Sequence, residues 1–119
     1  QIYDDCLDLV GDEEVVGKTL GTDLEKGKLT LPLLNLIRDA TETQKAKLNK
    51  LLLQNEPLET SVLAGIADYE GALESALEEA RELLRGAREN LVGLAESDYR
   101  RALVQVTEYV DSLLDDCST

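Results

Sequence analysis

Residues 1–34 read QIYDDCLDLVGDEEVVGKTLGTDLEKGKLTLPLL. Asp4, Asp5 and Asp8 crowd into five positions, and behind them Gly11, Gly17, Gly21 and Gly27 alternate with Lys18, Lys26 and Lys28. The apolar and acidic residues from Gln1 to about Val10 fit a short amphipathic helix stopped by Gly11. The glycine-punctuated stretch behind it predicts a loop of about twenty residues, a length that is uncommon without a functional reason. Thr30 then starts a helix over LTLPLLNLIRDA, with Pro32 in the first turn, where a missing N–H costs nothing.

Beyond residue 34 the pattern is helical throughout. Thr41 and Gln44 have capping-box spacing ahead of a helix in ETQKAKLNKLLLQ, and Asn55 with Pro57 opens a shorter one that runs to about Tyr69. Gly71 is expected to break the next junction. Leu73, Leu77, Ala80, Leu84, Ala87, Leu91 and Leu94 recur at spacings of four and three, a heptad seam. Ala102, Leu103, Val106, Tyr109, Val110, Leu113 and Leu114 give the last helix a similar stripe, and the short ESD connection makes the two antiparallel neighbours. The fold class is therefore all-α, a helical bundle.

The whole chain has 119 residues, enough for one domain with a modest core. It carries 25 acidic against 12 basic residues, a formal charge of −13, so its field repels nucleic acid and anionic membrane surfaces and favours cations. No apolar run is long enough to span a bilayer and no signal peptide opens the chain, which points to the cytoplasm. Cys6 and Cys117 stand at opposite ends without zinc-site spacing, histidine is absent, and both are read as reduced thiols. The chain starts at Gln1 and contains no Met, so it is read as a piece of a longer protein.

Two familiar motifs fail on the opening stretch. GDEEVVGKT places five residues between Gly11 and Gly17 where a phosphate-binding loop needs four. An EF-hand counted from Asp4 puts Leu9 at the glycine position and Val15 at the final glutamate. A magnesium–diphosphate site survives. On a helix Asp4 and Asp8 share a face, and Asp5, rotated by about 100°, reaches its edge. Such a trio repels itself without a cation, and magnesium accepts one or two carboxylates while filling its octahedron with water and phosphate. Lys18 and Lys28, each after a glycine, are placed to grip a diphosphate. The second DDC, at Asp115 to Cys117, lacks a following loop and is expected to be a solvated helix end.

The ordered set of Gln1, Asp4, Asp5, Asp8, Lys18, Gly21, Asp23, Gly27, Lys28, Thr30 and Pro32 resembles the second aspartate-rich region of the trans-isoprenyl diphosphate synthases, the polyprenyl synthetase family. The resemblance implies residues 1–119 of a C-terminal portion of that isoprenoid synthase fold, with 1–34 as metal and diphosphate motif and 35–119 as helical scaffold. It implies Mg2+ on Asp4, Asp5 and Asp8, substrate contacts from Gln1, Lys18, Lys28 and Asp23, and a catalytic role for Lys18 and Lys28. The implied substrates are an allylic diphosphate and isopentenyl diphosphate, joined by a prenyltransferase that is expected to be a homo-oligomer. The family's first aspartate-rich motif is not in this chain, so product length is unreadable and the segment alone is expected to be inactive. Cys6 departs from the larger apolar residue usual at its position. A non-catalytic helical subunit of the same descent, using the heptad seam to bind a partner, is the alternative.

Overall fold

A computed structural model describes residues 1–10, 28–54 and 58–117. Among the described residues the chain forms six α-helices: α1 (Ile2–Val10), α2 (Leu31–Asp39), α3 (Glu42–Leu53), α4 (Thr60–Ile66), α5 (Tyr69–Val92) and α6 (Asp98–Cys117). The expected all-α class is what the chain adopts. The glycine-rich loop, with Lys18 and Asp23, lies outside the described residues, as does the Asn55–Pro57 start expected for α4.

Local chemistry explains three of the six helix starts among the described residues. Thr30 sits at the N-cap of α2 with Pro32 in the first turn, although its side chain makes no capping bond. At α3 the capping box forms in full: Gln44 N–H donates to Thr41 Oγ1 at 3.2 Å, and Thr41 N–H donates to Gln44 Oε1 at 2.9 Å. The break expected at Gly71 falls earlier, at Ala67 and Asp68. Asp68 is the N-cap of α5, and its carboxylate accepts from the N–H of Gly71 at 3.0 Å. A Cβ at residue 71 would collide with that carboxylate, so the glycine makes room for the cap and lies inside the first turn.

The first half of α5 is the centre of the molecule. Leu73, Ala76, Leu77 and Ala80 are buried in one cluster with Cys6 of α1 and with Leu114 and Cys117 of α6. Ala72 belongs to a second cluster with Leu33 and Leu36 of α2, Leu48 of α3 and Leu63 of α4. Helices α1, α2, α4 and α6 all pack on α5, and α1 also packs on α2 and α6.

The heptad seam is buried only along this half. Leu73, Leu77 and Ala80 are enclosed, Leu84 and Leu91 are half-buried, and Leu94 is 52% exposed. The stripe on α6 mirrors the change: Leu114 is 1% exposed, whereas Leu103 and Val106 are exposed. Two helices without a third layer bury one narrow seam and leave the flanks wet. The antiparallel hairpin thus runs past the core. Its reach explains a radius of gyration of 16.9 Å, against roughly 13.5 Å for a compact chain of this size.

Arginines fix the hairpin's register. Arg88 donates through Nε to Thr107 Oγ1 at 3.0 Å and through Nη2 to Thr107 O and Asp111 Oδ2, both at 3.2 Å. Closer to the core Arg81 pairs with Glu74 at 3.2 Å and reaches Asp115 at 3.5 Å. Thr107 completes the bracket by donating to Val104 O at 2.7 Å. Half-exposed pairs of this kind are worth at most about 1 kcal/mol each, so they select the alignment more than they stabilise it.

The second DDC is not wholly solvated. Asp115 and Asp116 are exposed as expected, but Cys117 is buried at 2% exposure beside α1. The fold therefore brings the two cysteines, distant in sequence, into one cluster, and both are free thiols. Burial, then the neighbouring Cys117, then Asp5 push the Cys6 thiol up to about 12. Burial also pushes the Tyr69 phenol up to about 12, with a smaller contribution from Cys6.

These shifts fix a sign for alkaline stability. The native state holds both protons more tightly than the unfolded chain, whose cysteine and tyrosine titrate near 9.0 and 10.0. Stability is therefore complete below pH 9.0 and declines toward pH 12 as the unfolded state sheds protons that the native state keeps. Denaturant midpoints measured from neutral pH to pH 11 are expected to fall, and Cys6→Ala is expected to flatten the fall. Equal slopes for the two proteins would contradict the assignment.

Candidate metal and diphosphate site

Helix α1 is short, and its two faces are used differently. Asp4 and Asp5 stand in the first turn, where the positive end of the helix dipole favours them. Cys6 is fully buried against α5 and anchors the helix. With Cys6 inward, Asp5 lies at the edge of the buried face; Asp8 is on the far side with Asp4 but is covered by α2 at a small cavity, so that Asp5 and Asp8 are each 8% exposed while Asp4 is exposed.

Asp5 is held in place. The Gln1 side chain donates through Nε2 to Asp5 Oδ1 at 3.0 Å, and the Asp5 N–H donates to Gln1 O at 3.0 Å. Asp5 and Asp8, one turn apart, line a small cavity with Lys28, Thr30 and Tyr69, closed on its apolar side by Leu33 and Leu36. Its volume is about 10 Å³, close to the room one water molecule needs and far too small for a diphosphate. The cavity belongs to the foundation of the acidic helix, and Asp4 faces solvent beside it.

The residues expected at the site are thus partly assembled. Gln1, Asp5, Asp8 and Lys28 come together; Asp4 is on the same helix, facing solvent. Lys18 and Asp23 lie outside the described residues. No group of three or more acidic or cysteine side chains converges tightly enough for a metal among the described residues. Magnesium does not require three, because it takes one or two carboxylates and retains water.

Sequence reasoning missed Tyr69. It is the first residue of α5, it lines the acidic cavity, and its buried hydroxyl has no hydrogen-bond partner among the described residues. Nothing near it in sequence marks it, since the tertiary approach of α5 to α1 puts it there. Asn35 is the other buried polar group of this kind: it is 2% exposed and its Nδ2 is unpartnered.

Comparison with known proteins matches the sequence to a family. The model of the family described as polyprenyl synthetase matches residues 1–69, which include every helix that lines the cavity up to Tyr69. A short chain isoprenyl diphosphate synthase of Methanothermobacter thermautotrophicus is 36% identical over 110 residues, covering 92% of this chain and 34% of its own length. An octaprenyl diphosphate synthase of Haemophilus influenzae is 33% identical over 108 residues, 89% of this chain and 32% of its own. A farnesyl diphosphate synthase of Escherichia coli is 41% identical over 76 residues, 58% of this chain and 25% of its own. No solved structure gives a significant match. The chain spans about a third of the length of the first of these relatives. With the family model matching residues 1–69, more than half of the chain, and a relative 36% identical over 92% of it, the chain belongs to the polyprenyl synthetase family.

Proposed function

We propose that the chain is the C-terminal portion of a polyprenyl diphosphate synthase, with residues 1–34 serving the diphosphate and residues 35–119 forming the scaffold. One observation carries the reading: a helix anchored by Cys6 offers the solvent-facing Asp4 and, one turn on, the buried Asp8 at the wall of the acidic cavity. Asp5, already engaged by Gln1, acts as a positioning residue that fixes the start of the helix.

In the proposed reaction of the whole protein, the carbon–oxygen bond of an allylic diphosphate ionises. The double bond of isopentenyl diphosphate attacks the resulting cation, and loss of a proton completes the longer prenyl chain. Magnesium on Asp4 and Asp8 would supply charge that stabilises the departing diphosphate. The chain's own contribution is placement. Lys28 stands at the rim of the acidic cavity, and together with Lys18 it would aim ammonium groups at the outer diphosphate oxygens. Asp23 would orient a lysine or a metal-bound water. The substrate cavity and the first aspartate-rich motif would come from the remainder of the protein, so the segment alone is expected to be inactive.

A second reading rests on the wet end of the hairpin, where Leu83, Val92, Leu103 and Val106 are 67%, 70%, 49% and 58% exposed. Apolar surface of this kind favours association with another helical surface, in this chain by itself a second copy. No helix among the described residues is long and apolar enough to cross a membrane.

Titration of the protein with pyrophosphate, with and without Mg2+, tests the first reading. Pyrophosphate is expected to bind only with the metal, and Asp4→Ala and Asp8→Ala are each expected to weaken binding by about tenfold or more. Metal-independent binding, or binding indifferent to both substitutions, would sink it. Tyr69→Phe is expected to leave stability unchanged or raise it by about 1 kcal/mol, because it removes a buried hydroxyl with no partner among the described residues. A loss of that size in urea denaturation would show that the hydroxyl is bonded in solution. Sedimentation tests the second reading. Association is expected to strengthen with salt, which screens the repulsion between chains of charge −13; a monomer at high concentration and high salt would refute it.

A further inference from the structure

We propose that Cys6 and Cys117 are a thiol pair that a small-molecule disulfide converts into an intramolecular disulfide, clamping the acidic helix α1 to the end of α6. The pair is assembled by the fold. Cys6 is 0% and Cys117 2% exposed, and both lie in the cluster formed by Leu73, Ala76, Leu77 and Leu114. Helix α1 packs on α5 and on α6 at once, and the small side chains of Ala76 and Ala80 on α5 leave room for the other two helices to converge. Among the described residues these are the only two cysteines, and both are free.

Burial keeps the pair reduced under ordinary conditions, as for any enclosed thiol. Its access point is Cys117, the last residue of α6, because terminal helical turns open at low free-energy cost. The thiolate of Cys117 attacks one sulfur of the oxidant RSSR and expels RS⁻. Cys6 then attacks the Cys117 sulfur of that mixed disulfide and expels the second RS⁻. Two thiol protons pass to the two departing thiolates, one S–S bond forms in the protein, and the oxidant is reduced to two RSH. Asp5 and Asp8 flank Cys6 in sequence, so the clamp fixes the helix that carries the acidic residues. The closed loop takes in nearly the whole chain, which is the arrangement in which a cross-link restricts the unfolded state most.

The test is incubation of the purified protein with oxidised glutathione, followed by alkylation under denaturing conditions and non-reducing peptide mapping. The expected product is a monomer in which the Cys6 and Cys117 peptides are joined and two hydrogens lighter. Its thermal midpoint is expected to lie about 5 °C or more above that of the reduced form, an increment that dithiothreitol removes. Cys6→Ser and Cys117→Ser should each abolish the link, while the wild-type map alone decides the case if either variant folds poorly. Persistent glutathione adducts on both cysteines, cross-links between chains, or full alkylation of both after oxidation near the unfolding temperature would overturn the proposal. The outcome does not depend on diphosphate binding, so failure here leaves the metal reading untouched and the reverse also holds.

Discussion

Burial of the first three turns of α5 is the constraint on which the rest of the molecule depends. Leu77 and Ala76 are completely enclosed, and neighbouring positions on the same helix meet α1, α2, α4 and α6. Fully burying a leucine contributes about 1.5–3 kcal/mol, whereas the half-exposed arginine pairs farther along the hairpin offer a fraction of that. The alanines matter for a different reason. Ala76 and Ala80 place little bulk between α5 and its neighbours, so α1 can lie close against both α5 and α6. A larger residue there would push out the helix that carries the aspartates.

Fixing α1 by its cysteine also determines which carboxylates can do chemistry. Once Cys6 points inward, helical geometry puts Asp5 at the boundary and Asp4 with Asp8 on the far side, where Asp4 stays in water and Asp8 is covered at the cavity it shares with α2. A magnesium ion that keeps several of its waters needs a ligand reachable from solvent, and a carboxylate already engaged by Gln1 is poorly suited to that task. The small residue at position 6 thus has a structural reason. A thiol occupies little space and lets α1 settle against Leu77 and Leu114, and the second thiol of the protein arrives at the same place from α6.

How much of this was legible in the sequence follows from the range of each interaction. The capping box of Thr41 and Gln44 closes within four residues and could be read directly. So could the α5 seam, because its spacing is a local property. The break at Asp68 was displaced to Gly71, since both residues take part in one cap and the glycine is the more visible of the two. What no local pattern conveyed was which part of the seam would be covered. Leu73 and Leu94 occupy equivalent seam positions, yet only Leu73 meets α1. For the candidate site, the aspartates and Lys28 were legible as a motif, while Tyr69 and the meeting of Cys6 with Cys117 depend on contacts across most of the chain.

The buried Tyr69 hydroxyl bears on why such a base is retained. Among the described residues that hydroxyl has no partner, and a scaffold selected for stability alone would place phenylalanine there, because an unpaired buried hydroxyl costs about 1–3 kcal/mol. The same argument applies to the amide of Asn35. Native proteins tolerate groups like these chiefly where they serve a site, and Tyr69 shares its cavity with Asp5, Asp8 and Lys28. The stability sacrificed at the foot of the acidic helix is offset by the apolar packing of α5 behind it. Rigidity from the scaffold and polar groups held ready at its edge are two consequences of one arrangement of helices.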